Sequence, residues 1–183
     1  MAVMLKRTPS SQRGTSLIEL MMAMFVLAVG VLASAFLIPY SLGGNSRSKQ
    51  QSHSTVIAQM VMEKITSASA GGAAALTITD CPGTAHNINI TGTAGGTGST
   101  LLASGDVDFS QALGSAGAPV GYYMQYTTCG TAGRQAMYDI RWNIQTPSNY
   151  VNLVTVSAKL SGTGADLKYF SLPVTIRSLV GGN

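Results

Sequence analysis

The strongest pattern in this 183-residue chain is a block of apolar residues with no charge in it. After a polar, basic start, the 27 residues from Leu20 to Ser46 contain no Asp, Glu, Lys or Arg. Within them, Leu20 to Leu42 is dominated by Leu, Met, Ala, Val, Ile and Phe. As a helix rising about 1.5 Å per residue, that run is long enough to cross a hydrocarbon core of about 30 Å. From Arg47 to Ala68 the pattern becomes amphipathic. Val56, Ile57, Met60, Val61 and Ile65 recur at spacings of one, three and four among Lys49, Gln50, Gln51, His53, Gln59, Glu63 and Lys64, which predicts a helix with one face packed on a sheet. The two stretches read as one long helix from about Ser16 to Ala68. A bend is expected near Pro39 and Gly43-Gly44, and Gly71-Gly72 is expected to end the helix.

Beyond the helix the patterning divides again. From Thr77 to Pro119 the chain is rich in Gly, Ala, Thr and Ser, with TGTAGGTGST at 91–100. Such a composition does not support a helix and predicts an extended, partly mobile surface loop with one or two short strands such as Asn87 to Thr91. The last third is strand-like. Val120 to Thr127, Ala136 to Ile144, Tyr150 to Leu160 and Lys168 to Ser178 are rich in Tyr, Val, Ile and Thr, with polar breaks between them. The second and third read as a hairpin joined by Thr146-Pro147-Ser148-Asn149, and Arg141 between Ile140 and Trp142 shows the alternation of a half-buried strand.

Charge sharpens the reading of the amino-terminal end. The chain has 11 Lys and Arg against 7 Asp and Glu, but Lys6, Arg7 and Arg13 precede Gly14, which leaves eight against seven and a net of +1 beyond it. The basic balance therefore belongs to the first residues, and no nucleic-acid partner is inferred. Three cations before an apolar span keep that end cytoplasmic and send the rest outward. In an oxidising compartment Cys81 and Cys129 are expected to pair with each other. Closing a loop of roughly 50 residues in this way stabilises by about 4 kcal/mol in the chain-entropy model. Metal binding through Cys81, His86 and Cys129 is the weaker reading, since the spacing fits no standard site. Asp106-Val107-Asp108 reads as a solvated turn in preference to a calcium loop. The glycine-rich stretch lacks the lysine of a phosphate loop. With two histidines and scattered acids, no nucleophile, base and orienting group come together. No cofactor is expected.

The carboxylate of Glu19, at the edge of the apolar run, is the residue that a simple anchor does not explain. A charge at the centre of a spanning helix costs about 2.5–3.5 kcal/mol by insertion scales, and less near an end. Three processing fates are open to the amino-terminal end. Ala33-Ser34-Ala35 fits the small-residue pattern of a secretory cleavage site, yet the apolar run continues through Phe36-Leu37-Ile38. An uncut signal-anchor would leave Gly14 and Glu19 without a role. The third follows from Arg13-Gly14-Thr15-Ser16-Leu17-Ile18-Glu19-Leu20, which resembles the processing site of type IV prepilins and type II secretion pseudopilins.

That resemblance covers about the first 45 residues. It implies cleavage by a prepilin peptidase between Gly14 and Thr15, N-methylation of Thr15, and a charge pair between Glu19 and the new amino terminus of a neighbouring subunit. Thr15 stands where the family usually has phenylalanine or methionine, and Pro39 lies a few residues later than the family's usual proline. The implied fold is α+β and pilin-like, a long amino-terminal helix packed through its second half on an antiparallel sheet of about four strands. The implied division is a leader at 1–14, a transmembrane and filament-core helix at 15–44, its amphipathic continuation at 45–70 and a β-rich domain at 71–183.

The implied function is structural, as a subunit of a type IV pilus. The implied partners are other pilin subunits, a prepilin peptidase, an inner-membrane assembly platform and membrane lipid before assembly. The location is the bacterial inner membrane, with the leader in the cytoplasm, and then the periplasm or a cell-surface pilus. The last strands resemble, more weakly, PilV-type minor pilins, which leans the reading toward a minor subunit. A pseudopilin of a type II secretion system and a membrane-anchored binding module without a filament are the alternatives.

Overall fold

The computed structural model describes residues 16–130, 135–162 and 172–181. It is an α+β protein. One helix, α1 (Leu17–Ala70), precedes seven strands: β1 (Ala75–Thr79), β2 (Ala85–Asn89), β3 (Thr97–Gly98), β4 (Tyr123–Thr127), β5 (Met137–Ser148), β6 (Val151–Ser161) and β7 (Val174–Gly181). The helical assignment includes Pro39 and Gly43-Gly44, and by its contacts the chain divides into two units between Asn45 and Ser46. Within the first unit the apolar stretch Leu17–Ile38 has no side chain buried.

In the second unit the last turns of α1 pack on an antiparallel sheet. Ile57, Ala58, Val61, Met62 and Ile65 are buried with Tyr138, Ile140, Trp142, Ile144, Val154, Val156 and Ala158 in one core. The buried helix positions follow the i, i+4 ridge 57-61-65 with 58-62 beside it. Val56 departs from expectation and is 63% exposed, because at about 100° per residue it lies about 140° around the helix from Val61. Ser54, also on the buried side, satisfies its hydroxyl by donating to the Gln50 carbonyl at 3.0 Å.

Gly71-Gly72 ends the helix as expected. Gly72 adopts φ 73°. The Gly72 amide donates to the Ser69 carbonyl at 3.0 Å and the Ala73 amide to the Ala68 carbonyl at 3.1 Å, the paired bonds of a Schellman cap.

The main sheet has five strands, ordered β3-β5-β6-β7, with β4 also paired to β5. β4 and β3 share one edge of β5 end to end, with Tyr123 opposite Arg141 and Gly98 opposite Asn143. The β5–β6 hairpin forms as predicted, but it extends through Pro147-Ser148 and turns at Asn149-Tyr150, with a bulge between Gln145 and Ser148. A bulge accommodates proline, which has no amide to give the ladder. β1 and β2 form a separate two-stranded sheet. The predicted strand Lys168 to Ser178 is realised as β7 from Val174 onward, and residues 168–171 of it lie outside the described residues.

Two expectations are corrected by the second face of the sheet. Arg141 is only 3% exposed, so β5 is not a half-buried strand. The glycine-rich segment is not a free surface loop, because it and the segment after it lie against β5. The Arg141 guanidinium donates to Asp139 (2.8 Å from Nη2) and to the carbonyls of Asp108 (3.2 Å) and Gln111 (2.8 Å), and it stacks over the Phe109 ring at 4.9 Å.

Ser99 is fully buried and donates to the Tyr122 carbonyl. A Cβ at Gly92 would stand 2.6 Å from the Ile144 Cγ2, and at Gly98 (φ +118°) it would strike the Trp142 carbonyl oxygen. The glycines there permit close approach of backbone to strand as well as turning.

Candidate assembly site

Ser16 stands just ahead of α1, and its carbonyl accepts from the amides of Glu19 (2.9 Å) and Leu20 (3.2 Å). Ser16 thus occupies the N-cap position, and Glu19 lies in the first helical turn. A carboxylate there faces the positive end of the helix dipole, which is worth about 0.3–1 kcal/mol at an exposed site. Ser16 and Glu19 also have the spacing of a capping box. The run Ser-Leu-Ile-Glu carries that signal openly, and a reading of it for processing alone passes over it.

Glu19 is exposed and forms no ion pair among the described residues. Around it, Leu17–Ile38 makes a helix of 22 residues long and apolar enough to cross a membrane. Exposed side chains of this kind, with the backbone groups beyond the first turn bonded within the helix, suit lipid or another apolar surface. Gly14 and Thr15, expected to flank the peptidase cut, lie outside the described residues, and the expected Thr15–Glu19 pair is outside them for the same reason.

The expected cysteine pair is present. Cys81 and Cys129 are joined with their Cα atoms 5.2 Å apart, 48 residues apart in sequence. The bridge ties the β1–β2 turn to the chain leaving β4, and the Cys81 amide donates to the Thr127 carbonyl at 3.1 Å beside it. With both sulfurs in a disulfide, neither offers a thiolate to a metal.

Next to the bridge, the Asp80 side chain is 4% exposed and pairs with His86 at 3.4 Å. It also accepts from the Thr84 amide at 2.6 Å. Burial pushes the Asp80 carboxyl up, but the Thr84 amide and His86 together outweigh it and leave the group below its ordinary 3.8.

The two carboxylates of Asp106-Val107-Asp108 serve separate partners. Asp106 accepts from the Ser104 hydroxyl at 2.8 Å and faces Arg177 at 3.6 Å. Asp108 accepts from the Ser110 amide and from Gln111, each at 2.8 Å, and these bonds, Ser110 first, hold its carboxyl below 3.8. Among the described residues no three His, Cys, Asp or Glu side chains are grouped as a metal site.

A family described as the prokaryotic N-terminal methylation motif matches residues 9–35. The match covers the expected cut, the N-cap Ser16, Glu19 and most of the exposed apolar helix. No curated protein and no solved structure matches the chain.

Proposed function

We propose, for a chain whose methylation motif marks it as type IV prepilin-like, that a prepilin peptidase cuts it between Gly14 and Thr15 and that the mature chain assembles as a minor pilin. The motif supports a structural subunit that is processed by that peptidase and assembles with other pilins. The observation that carries the reading is the placement of the match over a membrane-length helix with Glu19 in its first turn. Removal of the leader creates an ammonium on Thr15, next to the N-cap, and Thr15 becomes the residue that is N-methylated. Paired with the Glu19 carboxylate of a neighbouring subunit at about 4 Å, that ammonium is worth about 1 kcal/mol in water and about 4 kcal/mol at an effective dielectric of about 20.

The pairing therefore gains strength as helices bundle and water leaves. Residues 15–44 would form the filament core, 45–70 would carry the packed continuation, and 71–183 would be presented outside the inner membrane. The division of contacts after Asn45 supports the first of these boundaries. The lean to a minor pilus subunit rests on the PilV-type resemblance of the last strands, and a type II secretion pseudopilin is the companion reading. Recovery of the protein in sheared surface fibres favours the pilus. Confinement to the envelope, with exoprotein secretion lost on deletion, favours the pseudopilus.

Glu19→Ala tests the assembly role itself. The variant is expected to be processed and held in the membrane, yet to enter filaments at least about tenfold less than the parent, the factor given by about 1.4 kcal/mol. Equal incorporation of the two proteins would refute the role given to Glu19.

A further inference from the structure

β5 and β6 run past the point where α1 stops, and the character of their helix-facing positions changes there. Ile144 and Val154 lie in the core beneath the helix, whereas the next positions on that face are Thr146 and Asn152. These two, with Ser69 from the last turn of α1, Thr91 after β2 and Asn149 at the hairpin turn, line an open cleft of about 290 Å³. That volume lies just below the usual range of ligand clefts, about 300–1,000 Å³, which limits the occupant to a short one.

The chemistry of the lining is uniform. None of its ten residues is ionisable. The side chains of Ser69, Thr146, Asn149 and Asn152 make no hydrogen bond within the protein among the described residues. An asparagine amide presents a donor pair and an acceptor on one plane, and a hydroxyl presents both roles on one atom. Such groups match a ligand that itself carries adjacent donor–acceptor groups and no charge. The rest of the lining is apolar or small, with Ile90, Ala73 and Ala74 beside the glycines.

We propose that this cleft binds a short neutral saccharide through Asn149, Asn152 and Thr146. The inference concerns the outward unit alone and does not depend on whether the filament is a pilus or a pseudopilus. Any phosphate or sulfate group would find no cation here, and any metal ion no carboxylate.

The test applies the full chain, in a detergent without a sugar headgroup, to an array of neutral oligosaccharides and their sialylated and sulfated counterparts. The protein is expected to be retained on a subset of the neutral glycans. Asn149→Ala combined with Asn152→Ala should weaken that retention at least tenfold, while thermal unfolding stays as in the parent and the distant Gln51→Ala keeps full binding. Thr146→Val, which removes a hydroxyl and keeps the shape, should weaken it at least threefold and serves if the double variant folds poorly. Failure to retain any neutral glycan would overturn the proposal, as would retention that survives the three substitutions or that appears only with charged glycans.

Discussion

Arg141 carries a full positive charge into a place where water does not reach it. Its side chain is 4% exposed, and that of its partner Asp139 14%. The site is tolerable because each nitrogen is occupied: Nε and Nη2 by the carboxylate, Nη1 by two carbonyls of the covering loop. Removing the guanidinium leaves Asp139 and those carbonyls without a partner, so Arg141→Ala is expected to cost about 3–5 kcal/mol.

The single tryptophan, Trp142, is fully buried, and its fluorescence during urea unfolding reads this cost. A loss below about 1 kcal/mol would show that Arg141 does not hold the loop.

Asp80 makes a pH-dependent case. Its folded-state carboxyl sits below 3.8, so the stability it adds is complete above that value and is lost as pH falls through the lowered one. Asp80→Asn should therefore be less stable than the parent at neutral pH, with the difference closing in strong acid. A gap that stays constant from pH 7 to pH 2 would contradict this assignment.

At the scale of elements, the parts that were legible in the sequence are those encoded by neighbours. The apolar run of α1, its amphipathic continuation, its glycine stop and the β5–β6 hairpin all follow from periods of 3.6 or 2 and from turn residues. The errors came from contacts between distant segments. Arg141 and Asp108 are 33 residues apart, and nothing local to either announces that a loop will cover the strand. The glycine-rich run misled in the same way. Its composition suits a mobile loop, yet Gly92 and Gly98 owe their small size to the closeness of β5.

Val56 keeps a spacing of four from Met60 yet is exposed, because it lies about 140° around the helix from Val61. The disulfide is the element-scale restraint open to direct measurement. Cys81→Ser combined with Cys129→Ser reopens the 48-residue loop and should lower stability by about 4 kcal/mol in the chain-entropy account. Unchanged unfolding under oxidising conditions would mean that the bonds around β1 and β2 hold the hairpin without it.

For the molecule as a whole, two kinds of surface stand in one chain. Leu17–Ile38 exposes only apolar side chains apart from Glu19 and small residues, whereas the unit from Ser46 onward closes a core of its own and keeps an open polar cleft. A membrane or a bundle of like helices suits the first, and water suits the second. Of the candidate site, the N-cap Ser16 and Glu19 stand in both sequence and structure, and the proposed cut between Gly14 and Thr15 rests on the sequence motif.

Intact-mass spectrometry of the protein purified from its native membrane measures the proposed cut after Gly14 directly. The predicted product begins at Thr15, with or without a methyl group on its nitrogen. A product beginning at Met1 or at Phe36 would contradict the account, since neither places a new ammonium beside Glu19.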